Sequence, residues 1–438
     1  MLTIAIVAVF MAGYACIALE SVIKVNKAAI ALLMFVICWT LLMVAPGVFF
    51  PGEHNAVQAA LASIEAGLGE TSTTLFFLMG AMTIVEVVDQ NGGFNFVRDL
   101  LVTSSKRRLL WRIALMTFFL SAILDNLTTS IVLIMVLRKL VHERKDRLIY
   151  DAIIVIAANS GGAFSPIGDV TTIMLWNSGM ISAGKTIMHL LVPSLLSLFV
   201  PALLLQFTLK GELQQPSGDR QRPSDQELTA WERKTVFVLG VGGLIFVPVF
   251  RYITDLPPFM GIMVVLGMLW LTTELFYAHL KVDETASHRV ARLLSHIDMA
   301  TILFFLGILM AVNCLKQIGV LTAMGGWLDG VSGGNHYLVT GFIGIISSIV
   351  DNVPLVAGCM GMYPIAAAGD MAIDGTFWQL LAYCAGVGGS MLIIGSAAGV
   401  VVMGLERISF GWYLKRITPL ALAGYLAGML GYWLQSLL

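Results

Sequence analysis

Charge is the first thing this chain has little of. Lys, Arg, Asp and Glu make up 12% of its 438 residues, against about 25% in an average soluble domain. Apolar residues make up 58% and mean hydropathy is +0.87. That balance excludes a water-soluble globular class and indicates a polytopic membrane protein. The net charge is −1, so no basic surface is offered to nucleic acid. Paired cysteines are also missing. Cys16, Cys38, Cys314, Cys359 and Cys384 stand singly in apolar runs, which reads as buried thiols rather than disulfides or a metal site. No basic stretch precedes the first apolar run, since Lys24 and Lys27 follow Met1 to Leu19. That order predicts a retained first span with its N-terminus outside, not a cleaved signal peptide. Lastly, no Lys or Arg is expected at the middle of the membrane, Lys316 standing at a span end.

What is present divides into spans of about 20 apolar residues. They are predicted near 2–19, 28–48, 75–89, 186–209, 235–251, 258–278, 298–316 and 417–438, with interrupted spans at 150–178 and 377–404. A loop free of Lys and Arg opens at Glu53 and His54. Short amphipathic pieces are predicted at Phe94 to Thr103 and at Met324 to Val331. The segment 110–138 is apolar but flanked by Lys106, Arg107, Arg108 and Arg112 before it and by Lys139, Arg144, Lys145 and Arg147 after it. Both flanks therefore belong in the cytoplasm. Crossing twice needs about 40 residues, so this segment is predicted to be a re-entrant hairpin with Asp125-Asn126 at its tip. A second hairpin, 337–366, carries Asp351-Asn352. Its flanks hold Asp329, Asp370 and Asp374 but no Lys or Arg, so it should enter from the opposite side.

The two halves repeat. Phe76-Phe77-Leu78 matches Phe304-Phe305-Leu306 at an offset of 228, Asp125-Asn126 matches Asp351-Asn352 at 226, and Gly161-Gly162 with Gly168 matches Gly388-Gly389 with Gly395 at 227. Each half holds five spans and one hairpin, and an odd number of spans inverts the second half. The expected fold is an all-α polytopic membrane protein with two inverted repeats, 1–209 and 235–438, joined by a polar cytoplasmic linker, 210–234, containing Pro216, Ser217, Gly218 and Pro223. All Lys and Arg except Lys185, Arg251 and Lys316 then fall on the cytoplasmic side, and both termini are periplasmic.

An ionised carboxylate at membrane depth costs about 2.5–3.5 kcal/mol or more, so buried acids are candidates for function. They are Glu86, Asp125, Asp169 and Asp351. Asn126, Thr128, Asn159, Ser165, Thr171, Thr172, Asn352, Ser390 and Ser396 carry neutral oxygens at similar depth. The glycines and Pro166 between Asn159 and Asp169 break a helix inside the membrane and free backbone groups for an ion. Carboxylate, hydroxyl and carbonyl oxygen suit a hard cation, with Asp125, Asp169 and Asp351 as its acidic ligands. Cation and proton compete for those oxygens, and alternate loading across a moving barrier gives antiport. No catalytic residue and no resident cofactor are expected. Simpler roles fit the same residues. Asp125, Asp351 and Asp169 could each cap a helix, Glu86 lies beside Asp89 near a span end, and the glycine pairs could serve close packing. His142, His189, His279, His288, His296 and His336 sit in or near loops and receive no catalytic role.

The strings from Ser121 to Thr129, Asn159 to Trp176, Ser348 to Pro354 and Gly386 to Ser396 resemble the NhaD-type sodium/proton antiporters of the ion transporter superfamily. The likeness is sharpest over 76–180 and 304–404. It implies exchange of Na⁺ or Li⁺ for H⁺ in a bacterial-type inner membrane. It also implies a homodimer in which spans 1–3 and 6–8 form a scaffold while the hairpins and spans 4, 5, 9 and 10 move. The family's polar residues map onto Asp125, Asn126, Asn159, Asp169, Thr171, Thr172, Asp351, Asn352, Ser390 and Ser396. Two other readings compete. One is a sodium-coupled carboxylate or oxyanion carrier of the same architecture. The other is an intramembrane aspartyl protease, which needs two carboxylates close enough to share a proton.

Overall fold

A backbone amide in lipid must find its partner within the protein, which leaves these apolar runs the helix as their solution. The computed structural model describes residues 1–18, 23–93, 100–209, 211–213, 228–279, 289–349 and 351–437. These residues form helices joined by turns, with two isolated bridges, Ser105 to Glu212 and Ala366 to Ala372. Most of the predicted linker (210 and 214–227) and residues 94–99 of the first amphipathic piece lie outside the described residues.

The first half runs α1 Leu2–Ala18, α2 Lys27–Val44, α3 Ala56–Gln90, α4 Lys106–Leu124, α5 Asn126–Leu140, α6 Arg144–Ala163, α7 Val170–Asn177 and α8 Ala183–Leu205. The second runs α9 Ala230–Thr254, α10 Pro258–His279, α11 Met299–Gln317, α12 Val320–Ser332, α13 His336–Ser347, α14 Asn352–Met362, α15 Thr376–Gly388, α16 Ala397–Glu406, α17 Phe410–Arg416 and α18 Thr418–Gln435. Among the described residues, six helices are long and apolar enough to cross a membrane, and α17 with α18, bent by 51°, makes a seventh. The helix pairs α4–α5 and α13–α14 part at the two Asp-Asn pairs, and α6–α7 and α15–α16 part at the two glycine-rich breaks. The amphipathic piece near 324–331 is part of α12.

Several helices begin ahead of their predicted spans, α6 at Arg144 and α9 at Ala230 inside the predicted linker, and one differs widely. The third span, expected at 75–89, begins at Ala56 and makes α3 a 35-residue helix. Glu65 and Glu70 interrupt the apolar run there, but both are exposed and sit among Ala, Leu and Gln, all good helix formers. Asn55 starts the helix by accepting from the Gln58 amide at 3.2 Å. Hydropathy registers where lipid is; propensity and capping decide where the helix begins.

Lipid is as apolar as leucine, so helices in a membrane associate through close van der Waals approach rather than through hydrophobic gain. The contacts follow that rule. A Cβ added at Gly307 of α11 would come within 2.5 Å of the Ala31 backbone on α2, and one at Gly424 of α18 within 2.3 Å of the Ser197 carbonyl on α8. The repeat seen in the sequence recurs as matched contacts. Ser121 donates to the Ala158 carbonyl at 2.6 Å and Ser347 to the Ala385 carbonyl at 2.8 Å. A Cβ at Gly161 would lie 2.1 Å from the Phe118 carbonyl oxygen, and one at Gly388 would lie 2.2 Å from that of Gly344. Each hairpin's first helix is thus seated against the broken span that follows it, closer than any side chain would permit. At the other end of the broken spans Glu406, closing α16, accepts from Arg138 of α5 and from Arg147 of α6, the latter at 2.9 Å. That cluster, built on a buried carboxylate, ties the two halves together.

Candidate cation site

Each interrupted span places the start of a half-helix beside a hairpin tip. Asp169 holds the position before α7, and Ser396 the matching one before α16. Ser396 does what the position invites. Its hydroxyl accepts from the Gly399 amide at 3.2 Å and caps α16. Asp169 does not cap α7, although its backbone is extended there and Asp is a favoured capping residue. Neither of its carboxylate oxygens accepts a backbone amide in a cap, and both are met by side chains instead. Oδ1 accepts from Asn126 Nδ2 at 3.1 Å and Oδ2 from Asn352 Nδ2 at 3.0 Å. Thr171 Oγ1 adds a third donor at 2.5 Å. Tips belonging to opposite halves of the chain therefore meet on one carboxylate that is 3% exposed.

The network continues outward. Asn126 also donates to Asn159 Oδ1 at 3.1 Å, and Asn159 Nδ2 donates to Ser396 Oγ at 2.9 Å. Thr172 returns its hydroxyl to the Asp169 carbonyl at 2.8 Å. Asn126, Asn159, Asp169, Thr171, Thr172, Asn352 and Ser396, all expected from the sequence, are thereby joined. Every donor to Asp169 is an uncharged amide or hydroxyl. Rotating an Asn amide about its last torsion, or an OH about its C–O bond, presents oxygen where hydrogen now points. The same groups can therefore hold a bare carboxylate or complete an oxygen shell around a small cation beside it.

The tip acids behave differently from Asp169. Asp125 Oδ1 accepts from the Thr128 amide and Oδ2 from the Thr128 hydroxyl, both at 2.8 Å. Asp351 Oδ1 accepts from the Val353 amide at 3.2 Å. Each caps its own half-helix, the simple role considered for it, and each still presents a carboxylate next to the Asn that reaches Asp169. Asp125 does so at φ 88° and ψ 159°, a region otherwise held almost only by glycine and costing about 1–3 kcal/mol for other residues. Strain of that kind at a hairpin tip marks a place where the fold holds a side chain against its local preference.

Other predicted residues fall outside the network. Glu86 accepts from Gln90 one turn further along α3 at 2.9 Å. Ser390 returns its hydroxyl to the Val387 carbonyl at 2.6 Å, and its own carbonyl accepts from Tyr413 at 2.8 Å. The Ser165 hydroxyl accepts from the Ile167 amide within the break itself.

Two groups near the site escaped the reading of the sequence. Lys27, first residue of α2, places Nζ 2.8 Å from Asp351 Oδ2. Its position in the sequence marked only the start of a span, and the structure sets its ammonium against a hairpin-tip carboxylate. A lysine at a span end carries its charge about four methylenes inward, and position along the chain does not report where that charge lands. Asp151, two turns before Asn159 on α6, is fully buried with neither carboxylate oxygen hydrogen-bonded. It lies at the start of the interrupted span predicted at 150–178 and was not among the buried acids expected there. A cavity of about 390 Å³ also opens between α3 and α11 on one side and α7 and α14 on the other, with Glu70, Asn177, Asn313 and Lys316 on its walls.

A family model described as citrate transporter matches residues 14–381. Sodium/proton antiporter 1 of Arabidopsis thaliana is 44% identical over 433 residues, covering 98% of this chain and 72% of that protein. Na(+)/H(+) antiporter NhaD of Vibrio cholerae is 31% identical over 450 residues, covering 96% of this chain and 89% of that protein. Among solved structures, the Alcanivorax borkumensis YdaH transporter matches with a TM-score of 0.64 over 93% of this chain and 98% of that one, at 14% identity. That likeness is one of fold.

Proposed function

This chain belongs to the NhaD-type sodium/proton antiporter family, and from that premise we propose that it exchanges Na⁺ or Li⁺ for H⁺ across the membrane. The observation that carries the reading is the uncapped Asp169, whose carboxylate is held by asparagines from both hairpin tips. A structural acid at a helix start would cap it. This one is presented instead to the space where two halves of the protein converge.

The cycle follows from competition. With the cation bound, Asp169 supplies the central negative charge, and Asn126, Asn159, Asn352 and Thr171 turn oxygens toward the ion. Asp125 and Asp351 add carboxylate charge from the tips. With the cation gone, protons satisfy Asp169 and Asp125 and the amides return to donating. Loading with one species excludes the other, so movement of the site past the barrier exchanges them. Helices α1–α3 and α9–α11 serve as scaffold, and the hairpins with α6–α8 and α15–α18 as the moving unit. The second half is inverted relative to the first, both termini are periplasmic, and the protein works as a homodimer in an inner membrane. A carboxylate cargo fits poorly, because it would meet the Asp169 charge at the centre of the network.

The test is pH-gradient dequenching in proteoliposomes on adding Na⁺, Li⁺ or K⁺. Wild-type vesicles should respond to Na⁺ or Li⁺, and Asp169→Asn vesicles should not, while the variant keeps the wild-type melting behaviour in detergent. No response from the wild type, or full exchange by Asp169→Asn, overturns the proposal.

A further inference from the structure

The ion pair between Lys27 and Asp351 connects two groups of helices that the proposed cycle requires to move apart. Lys27 stands on α2, which is locked to α11. A Cβ at Gly307 would touch the Ala31 backbone, and the Trp39 indole N–H donates to the Met310 carbonyl at 2.9 Å. Asp351 stands at the tip of α13–α14, next to Asn352, which holds Asp169. The contact thus runs from scaffold to site in two residues. Its side chains are 26% and 19% exposed, so the pair is not sealed inside the protein. The lysine has a second resting place as well, since Nζ lies 4.3 Å from the centre of the Phe304 ring on α11. An ammonium over an aromatic face keeps part of its stabilisation when a carboxylate leaves it.

We propose that Lys27 is a tethered cation that holds Asp351 when no transported ion is bound, and that loading replaces it with the cargo and unfastens the α13–α14 tip from α2. The ammonium and a sodium ion carry the same charge and seek the same oxygen lone pairs. Asp351 Oδ2 therefore trades one for the other, while Oδ1 keeps the Val353 cap. The lysine stem has enough rotatable bonds to withdraw toward Phe304 without moving α2. Lys27 is in this view a positioning residue. It makes the site's affinity for cargo and the freedom of the tip answer to the same event. The inference rests on the antiport reading.

Two measurements test it. In proteoliposomes, Lys27→Met should lower the apparent KM for Na⁺ by up to about fivefold, the range expected on removing a partly exposed competing ion pair. It should also lower the maximal rate, because cargo then leaves Asp351 more slowly, and Lys27→Arg should restore the KM. In the unmodified full-length protein in detergent, acylation of Lys27 by a water-soluble amine reagent, read by mass spectrometry, should rise in Na⁺ over choline. This second arm does not depend on a variant folding. An unchanged KM in Lys27→Met, or equal labelling in Na⁺ and choline, overturns the inference. A wild type that exchanges beside such a result leaves the antiport reading standing; a wild type that does not exchange removes both.

Discussion

Replacing Asp125 by glycine separates the two roles its carboxylate could have. The residue sits at φ 88° and ψ 159°, which glycine adopts freely, so the substitution relieves about 1–3 kcal/mol of backbone strain. Against this stand the lost cap, which costs only a few tenths of a kcal/mol when glycine replaces Asp, and about 0.5–1 kcal/mol of added unfolded-state freedom. The terms cancel to within about 1–2 kcal/mol, so Asp125→Gly should melt in detergent close to the wild type. Asp125→Ala keeps the strained backbone and loses the cap, and should melt earlier, with about 1 kcal/mol lost. If the carboxylate takes part in cation loading, Asp125→Gly should nevertheless abolish sodium-driven dequenching in proteoliposomes. Wild-type exchange by a normally folded Asp125→Gly would refute the reasoning, since the carboxylate would then be a cap and nothing more.

Other perturbations probe the parts around it. Asn159→Ala leaves one N–H of the Asn126 amide without its acceptor and takes a donor from the Ser396 hydroxyl; one orphaned buried group costs about 1–3 kcal/mol, so the apparent KM for Na⁺ should rise about tenfold in the same assay. Gly161→Ala places a Cβ 2.1 Å from the Phe118 carbonyl oxygen and should cost about 1–3 kcal/mol, with loss of both melting temperature and exchange, whereas Gly242→Ala, with nothing within 4 Å, should change neither. Glu406→Gln leaves Arg138 and Arg147 without their buried carboxylate; because Arg138 is 43% exposed, the loss should be about 1–3 kcal/mol rather than that of a sealed pair, read as earlier melting in detergent.

Much of the fold was legible because a membrane makes sequence report depth. An apolar run of fixed length means a crossing, a basic flank means a side, and an Asp or a pair of glycines inside such a run stands out against an even background. The hairpins, the interrupted spans and the repeat at offsets of 226 to 228 are all consequences of that single coordinate. So is the list of polar residues from Asn126 to Ser396 that join at Asp169. The same coordinate failed at α3, where exposed Glu65 and Glu70 hid a continuous helix, and at Asp151, a buried acid at the start of a predicted span that was not counted among the candidates.

Sequence alone therefore determined that the chain is a helical membrane protein and which polar residues interrupt its apolar runs. Tertiary structure alone decided that Asp169 abandons its cap while Ser396, Asp125 and Asp351 keep theirs, since a side chain chooses between its own helix and a neighbour only when the neighbour is in place. It also decided that Lys27 reaches Asp351, 324 positions away. A flexible side chain at a helix end can project in many directions, and the packing of α2 on α11 selects one of them.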